Sequence, residues 1–185
     1  MKKRKDYGYN ERLFSSGLRK YLHLSRFYWL SKWVNQFVPP NPRVLEVGCF
    51  DGKAIQYLPT TPKKYLGLDA NWEGGLELAR ERWQHESQFE FRVCHSPDEM
   101  GISGNMFDIS ICMDTLEHVP PDIVEPYLEQ ISKATTQYVF ITVPNEKGIV
   151  FFFKYLIKKI CSGDVQSYTI HEVINATLGR MDKVA

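Results

Sequence analysis

The stretch Val44 to Leu58 reads V-L-E-V-G-C-F-D-G-K-A-I-Q-Y-L, and its reading decides the fold. Val44 to Val47 is a short apolar run rich in β-branched residues, as expected of a buried parallel strand. Gly48 and Gly52 bracket a tight turn, and helix-like residues follow. Strand, glycine turn and helix in that order bring bare backbone amides and the positive end of a helix dipole to one point. A polar or anionic ligand can approach there without meeting a Cβ.

The spacing narrows the choice of ligand. A dinucleotide site asks for G-x-G-x-x-G, whereas here the order is Glu46-x-Gly48-x-x-x-Gly52. An acid inside the turn is a poor neighbour for a pyrophosphate and a good one for a cation. The stretch resembles motif I of the class I S-adenosylmethionine-dependent methyltransferases, E/D-x-G-x-G-x-G, and departs from it at Phe50, which replaces the middle glycine. The resemblance implies S-adenosylmethionine, which carries an ammonium and a sulfonium, with Glu46, Gly48, Cys49 and Gly52 around it. Alone, the same residues describe an ordinary strand-to-helix turn.

A second apolar run, Lys64-Tyr-Leu-Gly-Leu-Asp69, ends in a carboxylate seventeen positions after Gly52. An acid closing the second strand, about 20 residues beyond the glycine turn, is placed to accept hydrogen bonds from both ribose hydroxyls. Asp69 is therefore the expected ribose ligand; by itself such an acid is an ordinary turn or helix cap. Ala70 and Asn71, small and polar, suit the flank of an adenosine.

The third piece is Phe107-Asp-Ile-Ser-Ile-Cys-Met-Asp-Thr-Leu-Glu-His-Val-Pro120. Ile109, Ile111 and Met113 alternate with Ser110 and Cys112, as in a central strand. It resembles the segment ending in L-E-H-V of small-molecule methyltransferases. In a doubly wound sheet, ligands collect at the carboxyl ends of the strands where the winding reverses. Met113 and Asp114 are expected at the methionyl part of the cofactor, with Glu117 and His118 beyond, toward the methyl acceptor. His118 is the candidate general base; its alternative role is to hold the turn. Methyl transfer from a sulfonium can also proceed by alignment in a dry pocket, without a base.

The rest of the chain fits around these pieces. Leu13 to Phe37 carries apolar residues at helical spacing, as one helix or two broken near Gly17, and Pro39 to Pro42 stops it. Arg19, His23 and Arg26 on that segment are candidates to grip an acidic group, or a solvated face. Gly75 to Trp83 reads as a helix and Phe89 to Cys94 as the third strand. In the loop after it, the resemblance implies that His95 and Ser96, with Asp98 nearby, lie at the adenine in place of the usual acid. Pro121 to Thr135 predicts a helix beginning near Pro126, and Tyr138 to Val143 a fifth strand. Thr135 and Thr136 replace the glycine pair usual before that strand, and Asn145 and Glu146 follow it as substrate candidates. Residues 149–161 form an apolar stretch with Lys154, Lys158 and Lys159 on one side. It either packs on the sheet, covers a greasy acceptor or lies on an anionic membrane surface. Thr169 to Glu172 reads as a capping box opening a last helix that ends near Gly179.

Composition bounds the function. The 185 residues suit one domain, and 43% hydrophobic residues supply a core. A net charge of +1 gives no global attraction to nucleic acid, and the Lys2-Lys3-Arg4-Lys5 run reads as a solvated tail. Cys49, Cys94, Cys112 and Cys161 lack metal or disulfide spacing, so free thiols and a reducing cytoplasm are expected; no metal is. The resemblance implies an α/β fold, a three-layer doubly wound Rossmann-like sheet of strand order 3-2-1-4-5, with strands 7 and 6 absent or incomplete. Residues 1–42 form an N-terminal helical lid, and residues 43–185 a C-terminally short methyltransferase domain. The expected activity is transfer of a methyl group from S-adenosylmethionine to a small-molecule or lipid-like acceptor. The alternative is an inactive methyltransferase-like binding module. The exposed fifth strand invites a homodimer.

Overall fold

The structure, a computed structural model, describes residues 17–143 and 170–178. The chain divides into two compact units, Met1–Val143 and Pro144–Ala185. Of the second, the described part is one helix, α4 (Ile170–Thr177), in which the Asn175 amide pairs with the His171 ring at 3.0 Å. Residues 149–161, Asn145, Glu146, Thr169 and Cys161 lie outside the described residues.

The described part of the first unit runs from helix α1 (Gly17–Phe37) through β1 (Arg43–Val47), β2 (Lys64–Asp69), α2 (Gly75–Arg82) and β3 (Phe89–Val93). It closes with β4 (Phe107–Met113), α3 (Pro121–Ala134) and β5 (Thr135–Thr142). The strands form one parallel sheet of order β3-β2-β1-β4-β5, the order expected from the sequence. The winding reverses between β1 and β4, which leaves a crevice at their carboxyl ends.

Both faces of the sheet are covered, hence the continuous apolar strands. On one face, Val44, Tyr65, Ile109 and Ile111 pack beneath Phe27, Leu30 and Val34 of α1 and Leu76 and Ala79 of α2. On the other, Leu45, Leu66, Leu68 and Cys112 pack against Tyr127, Ile131 and Ala134 of α3. Phe107 shares this cluster with Cys112, and the β4–β5 register shifts between Phe107 and Ile109, where two steps along β4 face three along β5.

Local structure departs from expectation at three places. The stretch after Gly52 forms a 3-10 turn, Lys53–Tyr57, and no α-helix. Pro59 and Pro62 follow directly, and the residue before a proline is pushed to extended backbone, as Leu58 is at ψ 138°. Helix α3 starts at Pro121, five residues before Pro126, which sits inside it. Pro121 fits a first turn, and Pro126 forgoes one internal bond at an exposed position. Strand β5 starts at Thr135, directly after α3, with no glycine turn. Hydroxyls substitute for the turn: Thr135 Oγ1 donates to the Ile131 carbonyl and pairs with Ser110 Oγ at 2.6 Å, and Thr136 Oγ1 donates to the Phe107 carbonyl at 3.1 Å.

Opposite the crevice, Arg43 and Asp108 tie the starts of β1 and β4. Asp108 accepts from Arg43 Nη2 at 2.6 Å, Nε at 3.1 Å and the Arg43 amide at 2.7 Å. The hydrogen bonds from Arg43 hold the Asp108 carboxyl below its ordinary pKa. A depressed carboxyl contributes stability that is complete above its unfolded pKa and lost as pH falls through the folded one. Asp108→Asn is therefore expected to cost about 1–3 kcal/mol in urea denaturation at pH 7. The difference from the parent should shrink as the pH drops below 4.

Candidate functional site

The crevice is built by the turns after β1, β2 and β4. In the first, Gly48 has φ +78° and Gly52 φ +66°, a region open to glycine. A Cβ on Gly48 would fall 2.0 Å from Thr115 Oγ1, so this glycine admits a protein side chain from the turn after β4. A Cβ on Gly52 would meet Trp83 and Phe91 at 3.0 Å. The amides expected to be bare are engaged: Gly48 and Cys49 donate to the Leu68 carbonyl, Phe50 to Asp69, and Gly52 to the Cys49 carbonyl. The five-residue 3-10 turn also supplies little dipole. The cradle of bare amides and helix dipole anticipated from strand, turn and helix is thus not formed, because the Leu68 and Cys49 carbonyls and the Asp69 carboxylate take four of the loop amides and prolines cut the helix short.

Asp69 stands at the carboxyl end of β2. Its Oδ2 accepts from the Phe50 amide at 2.9 Å and its Oδ1 from the Asn71 amide at 2.7 Å. Asp69 and Ala70 are part-exposed. Asn71, at φ +57°, accepts from the Leu76 amide and donates to Glu77. Phe50, in place of the middle glycine, takes φ +46°. Its ring lies on Gly75, where a Cβ would be 2.4 Å from the ring. Cys49 is buried, with its sulfur against Gly67.

Asp114 follows β4 at φ +48°, and part-exposed. Arg26 of α1 donates to its Oδ2, Thr142 Oγ1 donates to its Oδ1 at 2.8 Å, and its amide donates to the Thr142 carbonyl at 3.0 Å. Met113, beside it, is buried. Arg19 and His23 belong to α1, but their side chains fall outside the described part.

Glu46 turns inward. Its carboxyl is buried and accepts from the Tyr65 hydroxyl at 2.5 Å. Burial pushes its pKa up to about 8, against the opposing effects of the Tyr65 hydrogen bond and the Arg26 charge. His95 is exposed and its amide is taken by Glu99 Oε2 at 2.7 Å, while the Ser96 carbonyl accepts from the Glu99 amide at 3.2 Å. His118 and Glu117 are exposed on the 3-10 turn Leu116–His118.

Asp69, Ala70, Asn71, Gly48, Gly52, Met113 and Asp114 thus gather on the three turns at the carboxyl ends of β1, β2 and β4. Glu46 and Cys49 support the first turn from inside, and His95 and Ser96 follow β3. Sequence reasoning missed Tyr65, Thr115, Thr142 and Asp51. Asp51 is buried in the glycine turn and accepts from Arg82 Nη1 of α2 at 2.8 Å. An acid flanked by turn glycines, thirty-one positions before a cationic helix end, is a weak signal.

The family profile described as a methyltransferase domain matches residues 44–137, just over half of the chain. No curated protein matches by sequence. Among solved structures, the complex of the Haloferax volcanii Trm112 methyltransferase activator with a methyltransferase aligns over 92% of this chain and 75% of its own. It does so at 16% identity and TM-score 0.55. The PH0226 protein of Pyrococcus horikoshii aligns over 82% of this chain and 72% of its own, at 16% identity and TM-score 0.55. Phosphoethanolamine N-methyltransferase 1 of Haemonchus contortus, in complex with phosphoethanolamine and S-adenosylhomocysteine, aligns over 68% of this chain at 14% identity and TM-score 0.53. This chain spans 27% of that one. At these identities the likeness shows the fold.

Two outcomes test the geometry. Glu46 binds its proton more tightly folded than unfolded, so its own contribution to folding is complete below about pH 4.5 and is lost as the pH rises to about 8. Glu46→Gln should flatten that decline in urea denaturation across the window. Gly75→Ala is expected to cost about 1–3 kcal/mol by driving its methyl into the Phe50 ring. Most of that cost should vanish in a Phe50→Gly background, measured as a double-mutant cycle.

Proposed function

Since the chain belongs to the methyltransferase-domain family, we propose that it binds S-adenosylmethionine at the crevice and transfers a methyl group to a small-molecule or lipid-like acceptor. The observation that carries this reading is the pair of part-exposed carboxylates, Asp69 and Asp114, which close the strands on either side of β1. A ribose diol needs an acceptor and an ammonium needs a carboxylate, so the two acids match the two ends of that cofactor. Dinucleotide chemistry has no counterpart for the second acid. A protein of the same fold, the Haemonchus enzyme, holds S-adenosylhomocysteine.

When bound, the cofactor supplies a methyl on a positively charged sulfur; an acceptor lone pair takes the methyl as the C–S bond electrons pass to sulfur. The chain's own residues bind and align. Asp69, flanked by Ala70 and Asn71, receives the ribose, and the His95–Ser96 loop borders the adenine. Met113 and Asp114 receive the methionyl end, where an ammonium replaces Arg26 on Asp114. Gly48, Cys49 and Gly52 shape the turn under the nucleoside. Glu46 acts from below, its neutral form avoiding an unpaired buried charge beside the loop. His118, exposed beyond Asp114, serves as base only for an acceptor that must lose a proton; alignment in a dry pocket accounts for the rest.

The reading adopts residues 1–42 as a lid and 43–185 as the methyltransferase domain, supported by the Arg26 to Asp114 pair that joins α1 to the site. Among the described residues no helix is long and apolar enough to cross a membrane. Three buried free thiols, Cys49, Cys94 and Cys112, support a reducing cytoplasm. In the described sheet β5 pairs with β4 alone, which supports a homodimer through its open edge. Nucleic acid is not the proposed acceptor.

Calorimetry tests the cofactor-binding half of the reading, and methyl transfer is then read as formation of S-adenosylhomocysteine in the presence of an acceptor. S-adenosylmethionine and its demethylated product are expected to bind at one site, and Asp69→Asn to weaken both on the order of tenfold with an unchanged circular dichroism spectrum. Absence of binding by either at millimolar concentration overturns the reading.

A further inference from the structure

The geometry points to the groove between α1 and β5 as the seat of the methyl acceptor, and to a flat aryl anion as its occupant. The inference rests on the methyltransferase reading, because it takes the methyl donor to lie at the end of β4. The groove has a volume of about 480 Å³, within the range of about 300–1,000 Å³ typical of small-molecule pockets.

Helix α1 contributes Arg26, Trp29, Trp33 and Phe37, successive steps of three and four residues that place one stripe along the groove. Tyr138 forms part of the opposite wall, and Met113 lies at the β4 end. The rings make a continuous ladder. Trp29 and Trp33 centroids are 6.3 Å apart, Trp33 and Phe37 5.4 Å at an interplanar angle of 11°, and Phe37 and Tyr138 5.9 Å. Despite these contacts each ring remains open: Trp29 is 47% exposed, Trp33 40%, Phe37 44% and Tyr138 43%. Large aromatic residues left accessible along one cleft mark a binding surface. Their faces favour a flat conjugated body, by offset or edge stacking, over a flexible chain.

The polar end specifies charge. Arg26 borders the groove beside Met113, and one of its nitrogens is committed to Asp114. Its Nε is buried and has no hydrogen-bond partner among the described residues. A buried guanidinium N–H without an acceptor is costly, and a carboxylate oxygen satisfies it with charge assistance. Cofactor binding sharpens the demand. An ammonium on Asp114 takes away the counter-ion of Arg26, and an anion arriving in the groove replaces it. The head of the acceptor then lies at the end of β4, near the methyl donor, and its rings extend along α1.

The test is calorimetry on the full chain with 2-naphthoate, its neutral analogue 2-naphthylmethanol, and dodecanoate, with S-adenosylhomocysteine titrated separately into the same sample. Saturable binding of naphthoate, at least tenfold tighter than the alcohol and than dodecanoate, is expected. Arg26→Gln should bring naphthoate down to the level of the alcohol, and Trp33→Ala should weaken both at least fivefold. Should circular dichroism show Arg26→Gln unfolded, Tyr138→Ser on the other wall takes its place, with a loss of at least fivefold for both aryl probes. No saturable naphthoate binding, equal affinity for acid and alcohol, tighter dodecanoate, or variants without effect each overturn the assignment. If S-adenosylhomocysteine binds and naphthoate does not, the groove assignment alone falls. If S-adenosylhomocysteine fails to bind, the methyltransferase reading falls, and the acceptor role with it.

Discussion

The carboxylate of Asp69 is the constraint on which the crevice depends. One oxygen holds the Phe50 amide at 2.9 Å, the other the Asn71 amide at 2.7 Å. The turn after β1 and the turn after β2 are thereby fixed to one group at the end of one strand. Both tethered residues have positive φ, +46° for Phe50 and +57° for Asn71. Such backbone costs on the order of 1–3 kcal/mol per residue when no glycine is present, and charge-assisted bonds of this kind offset about 1.5–3 kcal/mol each. The strain and its compensation meet in the same two hydrogen bonds. A residue proposed to hold a ribose is therefore also the residue that holds the loops in shape.

The charges around the crevice form a second layer of the same logic. Arg26 bonds to Asp114 and also lowers the cost of ionising Glu46 through its field. Glu46 remains protonated up to about pH 8 because burial outweighs both Arg26 and the Tyr65 hydrogen bond. A neutral Glu46 and a paired Asp114 leave the first unit without an uncompensated buried charge at the switch point. A cation at Asp114, as proposed, would disturb that balance and release Arg26, which α1 carries. The proposed cofactor and acceptor sites would then be linked through one guanidinium.

The strands were legible as short apolar runs bounded by turn residues, and their order followed from the family resemblance that the motifs carry. Asp69 and Asp114 were legible for the same reason, as acids that close such runs. The direction of Glu46 was not. Both faces of β1 are buried, so alternation of polarity, which would reveal which way a strand residue points, is missing from Val44 to Val47. Neither could the sequence show that the loop amides are taken by Leu68 and Asp69, or that Arg26 reaches Asp114 across 88 positions. Those partnerships exist only once strands are adjacent. The helix after Gly52 is a different case: Pro59 and Pro62 stood in plain view, and their local effect outweighed the helix-forming residues before them.

Phe50 is the departure from the glycine pattern that would most readily suggest a closed pocket, and its surroundings argue otherwise. Its ring rests on Gly75, a buried first residue of α2 where a methyl group would already collide. A small residue has been exchanged for a large one in the turn, and the space it needs is found at the start of the neighbouring helix. A similar contact lies one residue earlier, where the Cys49 sulfur sits over Gly67 of β2, within 2.7 Å of where a Cβ would stand. Volume in a packed interior is conserved across contacts rather than at single positions. In this turn the larger residues, Cys49 and Phe50, stand opposite glycines of neighbouring elements, and that complementarity is how the turn packs onto β2 and α2.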